Sequence, residues 1–186
     1  QPGGDVVLTI DAGLQQYVTS RMGQESAACV VLDIHSGETL ALSSTPSFDP
    51  NDFNIGLTQN TWRSLMEDVR KPLVNKAVAG QYPPGSTFKM IVAIAGLESG
   101  TLSEKHKVFC PGKLTLGNRT FHCWKKHGHG TMDLLSAIEQ SCDVFFFDVA
   151  QRIGVDRIES MARRFGLGDR LGNELPSEKP GLLPTR

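Results

Sequence analysis

The sequence predicts an α+β domain, of which this chain is the front part. Three observations predict it. A valine-rich hairpin pattern supplies two strands near the start, a series of helical patterns follows, and no closing strands come after them. A two-stranded hairpin is not a stable sheet by itself, so the strands that complete the layer are expected elsewhere. The 186 residues suffice for one sizeable core. Hydrophobic residues make up 39%, charged residues 21%, and the net charge is −1. That balance argues against a nucleic-acid partner and against an acidic interaction tail. No apolar run reaches the roughly eighteen residues of a membrane span. The opening "QPGGDVVLTIDAGLQQ" shows no secretory leader and reads as a cut domain edge, which leaves room for an anchor upstream.

The elements follow in order. "DVVLTI" reads as a short strand or an extended lead-in. Asp11 then caps a helix, "AGLQQYVTSRM", with Leu14, Tyr17, Val18 and Met22 on one face. The apolar run "SAACVVLDI" is that of a buried strand, and "HSGE" turns the chain into "TLALSS", so Ala27 to Ser43 forms a hairpin in which Cys29 is a small core residue. "TPSFDPNDFNIGLTQ" reads as loop, and "TWRSLMEDVRKPLVNKAVAG" as short helical pieces interrupted by Pro72. A helix from Ser86 to about Ser99 ends at Gly100. Thr101 to Gly130 has no clean period. Helices at Met132–Gln140, Val144–Ile153 and Val155–Phe165 follow, and the tail is irregular.

Chemistry concentrates in "YPPGSTFK". Ser86 and Lys89 lie three apart at the head of an apolar helix, on one face, where free N–H groups and the positive end of the dipole gather. An oxyanion would be stabilised there, and a lysine one turn from a serine can serve as its base. The plain alternative is a capping serine and a surface lysine. "SCD" at Ser141–Asp143, on the turn between two helices, offers a second hydroxyl and a carboxylate to a proton-transfer network; Asp143 also suits the cap of the helix that follows. Cys110, Cys123, His129 and Cys142 form a second group. Three thiolates and an imidazole fit tetrahedral zinc, but the spacing equally allows a Cys110–Cys123 disulfide with Cys142 buried. His106, His122 and His127 compete for the histidine position.

"YPPGSTFK", "SCDVFFFDVA", "LTIDAGLQ" and "VVLDIHSGETLALSSTPSFDPNDFN" together resemble the transpeptidase domain of class B penicillin-binding proteins, in their rod-elongation branch. The S-x-x-K signature belongs to that superfamily. The resemblance covers nearly the whole chain and implies a penicillin-binding-protein/serine β-lactamase-like fold, an antiparallel sheet packed with helices and truncated here before its C-terminal strands. It makes residues 1–186 the N-terminal portion of that domain. Ser86 resembles the acylated nucleophile, Lys89 its base, Ser141 the relay to the leaving D-alanine, and Asp143 stands where most relatives have asparagine. It implies D,D-transpeptidation of D-Ala-D-Ala stem peptides, with β-lactams acylating the same serine. It also favours structural zinc, in an insert at about 101–130, on Cys110, Cys123, His129 and Cys142. Location at the periplasmic face of the inner membrane follows, with an elongation glycosyltransferase and scaffold proteins as partners of the parent protein. No K-T-G motif occurs in the chain, so the expectation is a fragment that does not turn over substrate alone. The competing readings are a serine β-lactamase or β-lactam sensor, and a non-catalytic zinc-stabilised scaffold.

Overall fold

The computed structural model describes residues 3–172 and 175–185. The chain divides into two units, 1–81 with 173–179 and 82–172 with 180–186.

In the first unit, α1 (Ala12–Met22) starts where predicted, with Asp11 accepting the Leu14 N–H at 2.7 Å. Gln15 clips α1 to the neighbouring strand: its amide donates to Leu42 O at 2.9 Å and accepts the Leu42 N–H at 2.8 Å. "DVVLTI" forms no strand. The hairpin is β1 (Ala27–Leu32) against β2 (Thr39–Thr45), antiparallel, with Ala27 opposite Thr45 and a register shift at Val31/Leu32. One expectation fails here. β1 is not a buried strand: Val30 is 45% and Leu32 55% exposed, and Cys29 is only half-buried. The reason is that β1 pairs with β2 alone among the described residues, so its apolar side chains are covered on neither the far edge nor the outer face. The expected loop contains a short helix, α2 (Asn51–Ile55), opened by Asp49 accepting the Asn51 N–H. α3 (Gln59–Glu67) is capped by Thr58 and α4 (Lys76–Ala79) by Asn75, on either side of Pro72.

The second unit holds the larger core. A 3-10 turn at Gly85–Phe88 runs into α5 (Lys89–Glu98). α5 buries Ile91, Val92, Ala93, Ala95 and Gly96, because it is packed by two later helices, α7 (Asp143–Ile153) and α8 (Val155–Arg164). Phe145, Val144 and Val149 of α7 are fully buried at the centre. Gly96 permits that approach, since a Cβ there would stand 2.9 Å from Leu102 Cβ and 3.2 Å from Ile153 Cδ1. α6 (Leu134–Glu139) begins on Asp133, which accepts the Ser136 N–H, so Met132 precedes the helix instead of opening it.

Thr101–Gly130 is not irregular. β3 (Val108–Cys110) pairs antiparallel with β6 (Gly130–Met132), and β4 (Lys113–Leu116) with β5 (Arg119–His122). Each strand has only three or four residues, too few for a period of two to show. The one local signal was Gly117-Asn118, a two-residue hairpin turn with Gly117 at φ +58°. Two other glycines let this segment close on itself. A Cβ on Gly128 (φ +78°) would fall 2.1 Å from Cys110 O, and one on Gly112 (φ +94°) 2.2 Å from Lys126 O. Gly128→Ala is therefore expected to destabilise the protein by roughly 2–5 kcal/mol, combining overpacking against backbone with a left-handed conformation. Gly117→Ala, whose Cβ meets nothing within 4 Å, should lose only about 1 kcal/mol. Thermal unfolding of the two variants side by side decides this, and equal melting would refute the packing argument. No helix among the described residues is long and apolar enough to cross a membrane.

Candidate active site

Gly85, at φ +57°, turns the Pro83-Pro84 segment sharply into the 3-10 turn that carries Ser86. Ser86 is exposed, and Lys89, the first residue of α5, keeps only 12% of its side chain accessible. Ser141 reaches both from the α6–α7 turn. Its Oγ donates to Ser86 Oγ at 2.9 Å and accepts from Lys89 Nζ at 2.9 Å. The other two protons of the Lys89 ammonium go to Ser141 O at 2.8 Å and Asp143 Oδ1 at 2.7 Å. Lys89 thus reaches Ser86 through Ser141, where the spacing alone suggested direct contact. The Phe146 ring lies 5.7 Å below Nζ. A cavity of about 610 Å3 opens beside Ser86 and Lys89, walled by Phe88, Phe146 and Phe147.

The turn carrying Ser141 has a definite build. The Cys142 N–H bonds to Ala137 O at 2.9 Å and the Ser141 N–H to Ile138 O at 3.1 Å, the Schellman closure of a helix. The position after the cap then needs a left-handed residue, usually glycine. Here it is Ser141, at φ +51°. A serine costs about 1–2 kcal/mol there relative to glycine. The left-handed backbone turns its hydroxyl toward Ser86 and Lys89.

Asp143 does not cap α7. Cys142 occupies the cap position and Asp143 is the first helical residue. That frees its carboxylate: Oδ1 takes Lys89, and Oδ2 accepts the Trp124 N–H at 3.0 Å. Burial works against ionisation, but the Lys89 ammonium and the Trp124 N–H outweigh it and hold the Asp143 carboxyl below the usual carboxylate range.

Behind Asp143 sits the cysteine–histidine group. One ligand atom from each of Cys110, Cys123, His129 and Cys142 lies within 4.8 Å of the others. His129 Nδ1 is 3.6 Å from Cys110 Sγ and 3.5 Å from Cys123 Sγ. A tetrahedron with bonds of ~2.3 Å to sulfur and ~2.0 Å to nitrogen separates such atoms by ~3.5 Å, so the geometry fits zinc. All four cysteines are free thiols, and no Cys110–Cys123 disulfide is formed. Burial pushes the Cys142 thiol up to about 12. The Cys110 thiol, despite its burial, is lowered by the His129 and Gly112 N–H groups and the neighbouring thiols. Burial keeps the His129 imidazole below its ordinary value and hence neutral, the form a metal takes. The other histidines stand apart. His106 packs on Phe145 and lies 3.5 Å from Asp148, while His122 and His127 face solvent.

The profile of the penicillin binding protein transpeptidase domain matches residues 27–186. The chain belongs to this family. Among curated members, the peptidoglycan D,D-transpeptidase MrdA of Escherichia coli K12 is 40% identical over the whole chain. The chain spans about 30% of the length of that relative. Among solved structures, Pseudomonas aeruginosa PBP2 in complex with WCK 5153 superposes with a TM-score of 0.92 at 37% identity, covering all of this chain and 42% of that one. PBP2 in its complex with MreC, from Helicobacter pylori, gives 0.88 at 33% identity, over 94% of this chain and 33% of that one. The transpeptidase fold therefore accounts for the mixture of helices and short strands, with this chain as a part of the domain.

Trp124 is the site residue that sequence reading missed. Its backbone N–H holds Asp143, its indole Nε1–H donates to Gln140 O at 3.0 Å, and its ring meets His129 edge-on at 5.3 Å. Gln140 O is an end-of-helix carbonyl that otherwise lacks an intrahelical donor. The only sequence signal was a large aromatic directly after Cys123.

Proposed function

We propose that this chain is the nucleophile-bearing portion of a peptidoglycan D,D-transpeptidase of cell elongation. The observation that carries the reading is Ser141 Oγ, hydrogen-bonded at 2.9 Å to both Ser86 and Lys89. Two serines and a lysine linked in series through Ser141, beside the N–H groups at the start of a helical turn, form an acyl-transfer centre. Ser86 Oγ attacks the carbonyl carbon of the penultimate D-alanine. Once the Lys89 ammonium has released one proton to solvent, the Ser86 proton passes to Ser141 Oγ and that of Ser141 to Lys89 Nζ. Asp143 keeps Lys89 aimed at Ser141. The carbon–nitrogen bond to the terminal D-alanine then breaks, and the same relay run backwards returns the proton to the departing amine. The amine of a neighbouring stem peptide attacks the resulting ester and frees Ser86.

Zinc on Cys110, Cys123, His129 and Cys142 is part of the proposal. With four protein ligands it is structural, fixing the 101–130 segment to the Ser141 turn, and leaves no position for a reacting water. The fit of the thiol–imidazole distances supports it. Partners follow from the relatives: a glycosyltransferase and scaffold proteins of the elongation machinery, the latter in keeping with the H. pylori PBP2–MreC complex. The periplasmic face of the inner membrane is the matching location, with the anchor outside this chain.

A fluorescent penicillin on the full-length protein tests the central claim. Peptide mapping by mass spectrometry should place the label on Ser86. Label on Ser141 would overturn the assignment, absence of label would favour a zinc-stabilised scaffold, and rapid release of hydrolysed drug would favour a β-lactamase.

A further inference from the structure

A cavity of about 650 Å3 lies on the outer side of the cysteine–histidine group, lined by Gly112, Lys113, His122, Cys123, Trp124 and Lys126. Backbone pairing and close packing hold its frame. Lys113 and His122 are directly opposed in the β4–β5 register, the Cys123 N–H bonds to Gly112 O at 2.8 Å, and Gly112 packs on the Lys126 backbone too closely to admit a Cβ.

Two properties of this cavity have no use in the chemistry at Ser86. The first is charge. From Pro111 to Gly130 the sequence holds Lys113, Arg119, Lys125 and Lys126 and not one carboxylate, in a chain whose net charge is −1. The nearby Asp143 carboxylate is engaged by Lys89 and the Trp124 N–H. Of these cations Lys113 and Lys126 line the cavity, with no carboxylate beside them in the lining, a surface charge of the kind that concentrates anions. The second is Trp124. Trp124 is 64% exposed, yet it is held by its backbone N–H on Asp143 and its indole N–H on Gln140 O. A large apolar ring held immobile in solvent is a ready contact surface, since little side-chain freedom remains to be lost on binding.

We propose that this cavity is an anion-recognising subsite for the carboxylate-bearing stem peptide of an uncrosslinked peptidoglycan strand. The peptide backbone would lie on the indole face, and its carboxylates would accept charge-assisted hydrogen bonds from Lys113 and Lys126. Location favours this occupant. Trp124 is joined to the nucleophile by a short series of contacts, through Asp143, Lys89 and Ser141 to Ser86. That chain of four hydrogen bonds ties the cavity wall to the acyl-transfer centre, and the subsite rests on the transpeptidase reading above.

The test uses the full-length protein. In a Ser86→Ala background, binding of a purified disaccharide–tetrapeptide muropeptide is measured by calorimetry. The Lys113→Glu/Lys126→Glu double variant should weaken it by at least about tenfold, and Lys113→Gln/Lys126→Gln by less, since it removes charge without reversing it. Amidating the muropeptide carboxylates should weaken binding to the unaltered protein to a similar degree. With Ser86 intact, penicillin labelling should proceed at the same rate in the double variants, which also shows that they are folded. Unchanged muropeptide affinity alongside normal labelling would overturn the subsite and leave the transpeptidase reading standing. Failure of penicillin to label even the unaltered protein would remove that reading, and the subsite with it. Charge-sensitive binding to phosphatidylglycerol vesicles, with no effect on the muropeptide, would assign the surface to a membrane and overturn the proposal.

Discussion

Lys89→Arg is expected to lower the rate of Ser86 acylation by about 10²–10⁴-fold, the size of a lost general base, while leaving the protein folded. Arginine preserves the positive charge that Asp143 pairs with at 2.7 Å, so the ion pair across the α5–α7 contact survives. It cannot give up a proton at any working pH, so the relay from Ser86 through Ser141 has no terminus. The rate of labelling by a fluorescent penicillin measures the loss, and a thermal melt run in parallel controls for folding. Lys89→Met is the informative second variant. It also lacks a base but leaves Asp143 without its cation, so it should lose both rate and stability. Wild-type acylation by the folded arginine variant would place the base elsewhere.

Cys123→Ser should lower stability by several kcal/mol, a fraction of the roughly 10–16 kcal/mol that structural zinc supplies in peptide systems. It should also slow acylation by roughly 10–100-fold, although Cys123 never meets substrate. The route is short. Cys123 is followed by Trp124, whose backbone N–H fixes Asp143 Oδ2, and Asp143 Oδ1 fixes Lys89. Cys142, another of the four proposed ligands, is covalently next to Ser141. Loosening the group therefore releases the relay from two directions. Melting temperature, zinc content by elemental analysis and acylation rate should fall together, and a chelator should reproduce the change in the unaltered protein. Protein that contains no zinc and titrates with a Cys110–Cys123 disulfide would defeat this prediction.

Much of the second unit was legible because its signals are local. The α5, α7 and α8 patterns are periodic over ten or eleven residues, and Gly154 and Gly100 mark boundaries where the chain does turn. The "SCD" tripeptide could be placed on a helix-to-helix turn for the same reason. Its left-handed serine could not, because what selects serine over glycine at the Schellman position is a contact with Ser86 and Lys89, far away in the chain. The β3–β6 pair was invisible on similar grounds. It joins three-residue strands across an intervening hairpin, and only their meeting defines them. Asp143 offers the network a carboxylate, and by local sequence it also suits the cap of α7. In the structure Cys142 stands at the cap position without a side-chain cap bond, and the Asp143 carboxylate oxygens go to Lys89 and the Trp124 N–H. β1 erred in the other direction: its composition is that of an interior strand, but burial depends on neighbours that the described residues do not supply.

That strand has a practical consequence. "AACVVL" contains no proline and no charge, the two devices that ordinarily stop an open edge from recruiting another chain. Its outer-edge backbone groups, unpaired among the described residues, with Val30 and Leu32 showing, are a template on which a second copy can add strand to strand. An open apolar edge of this kind favours association of copies, so Val30→Lys is expected to raise the soluble yield of the polypeptide produced on its own.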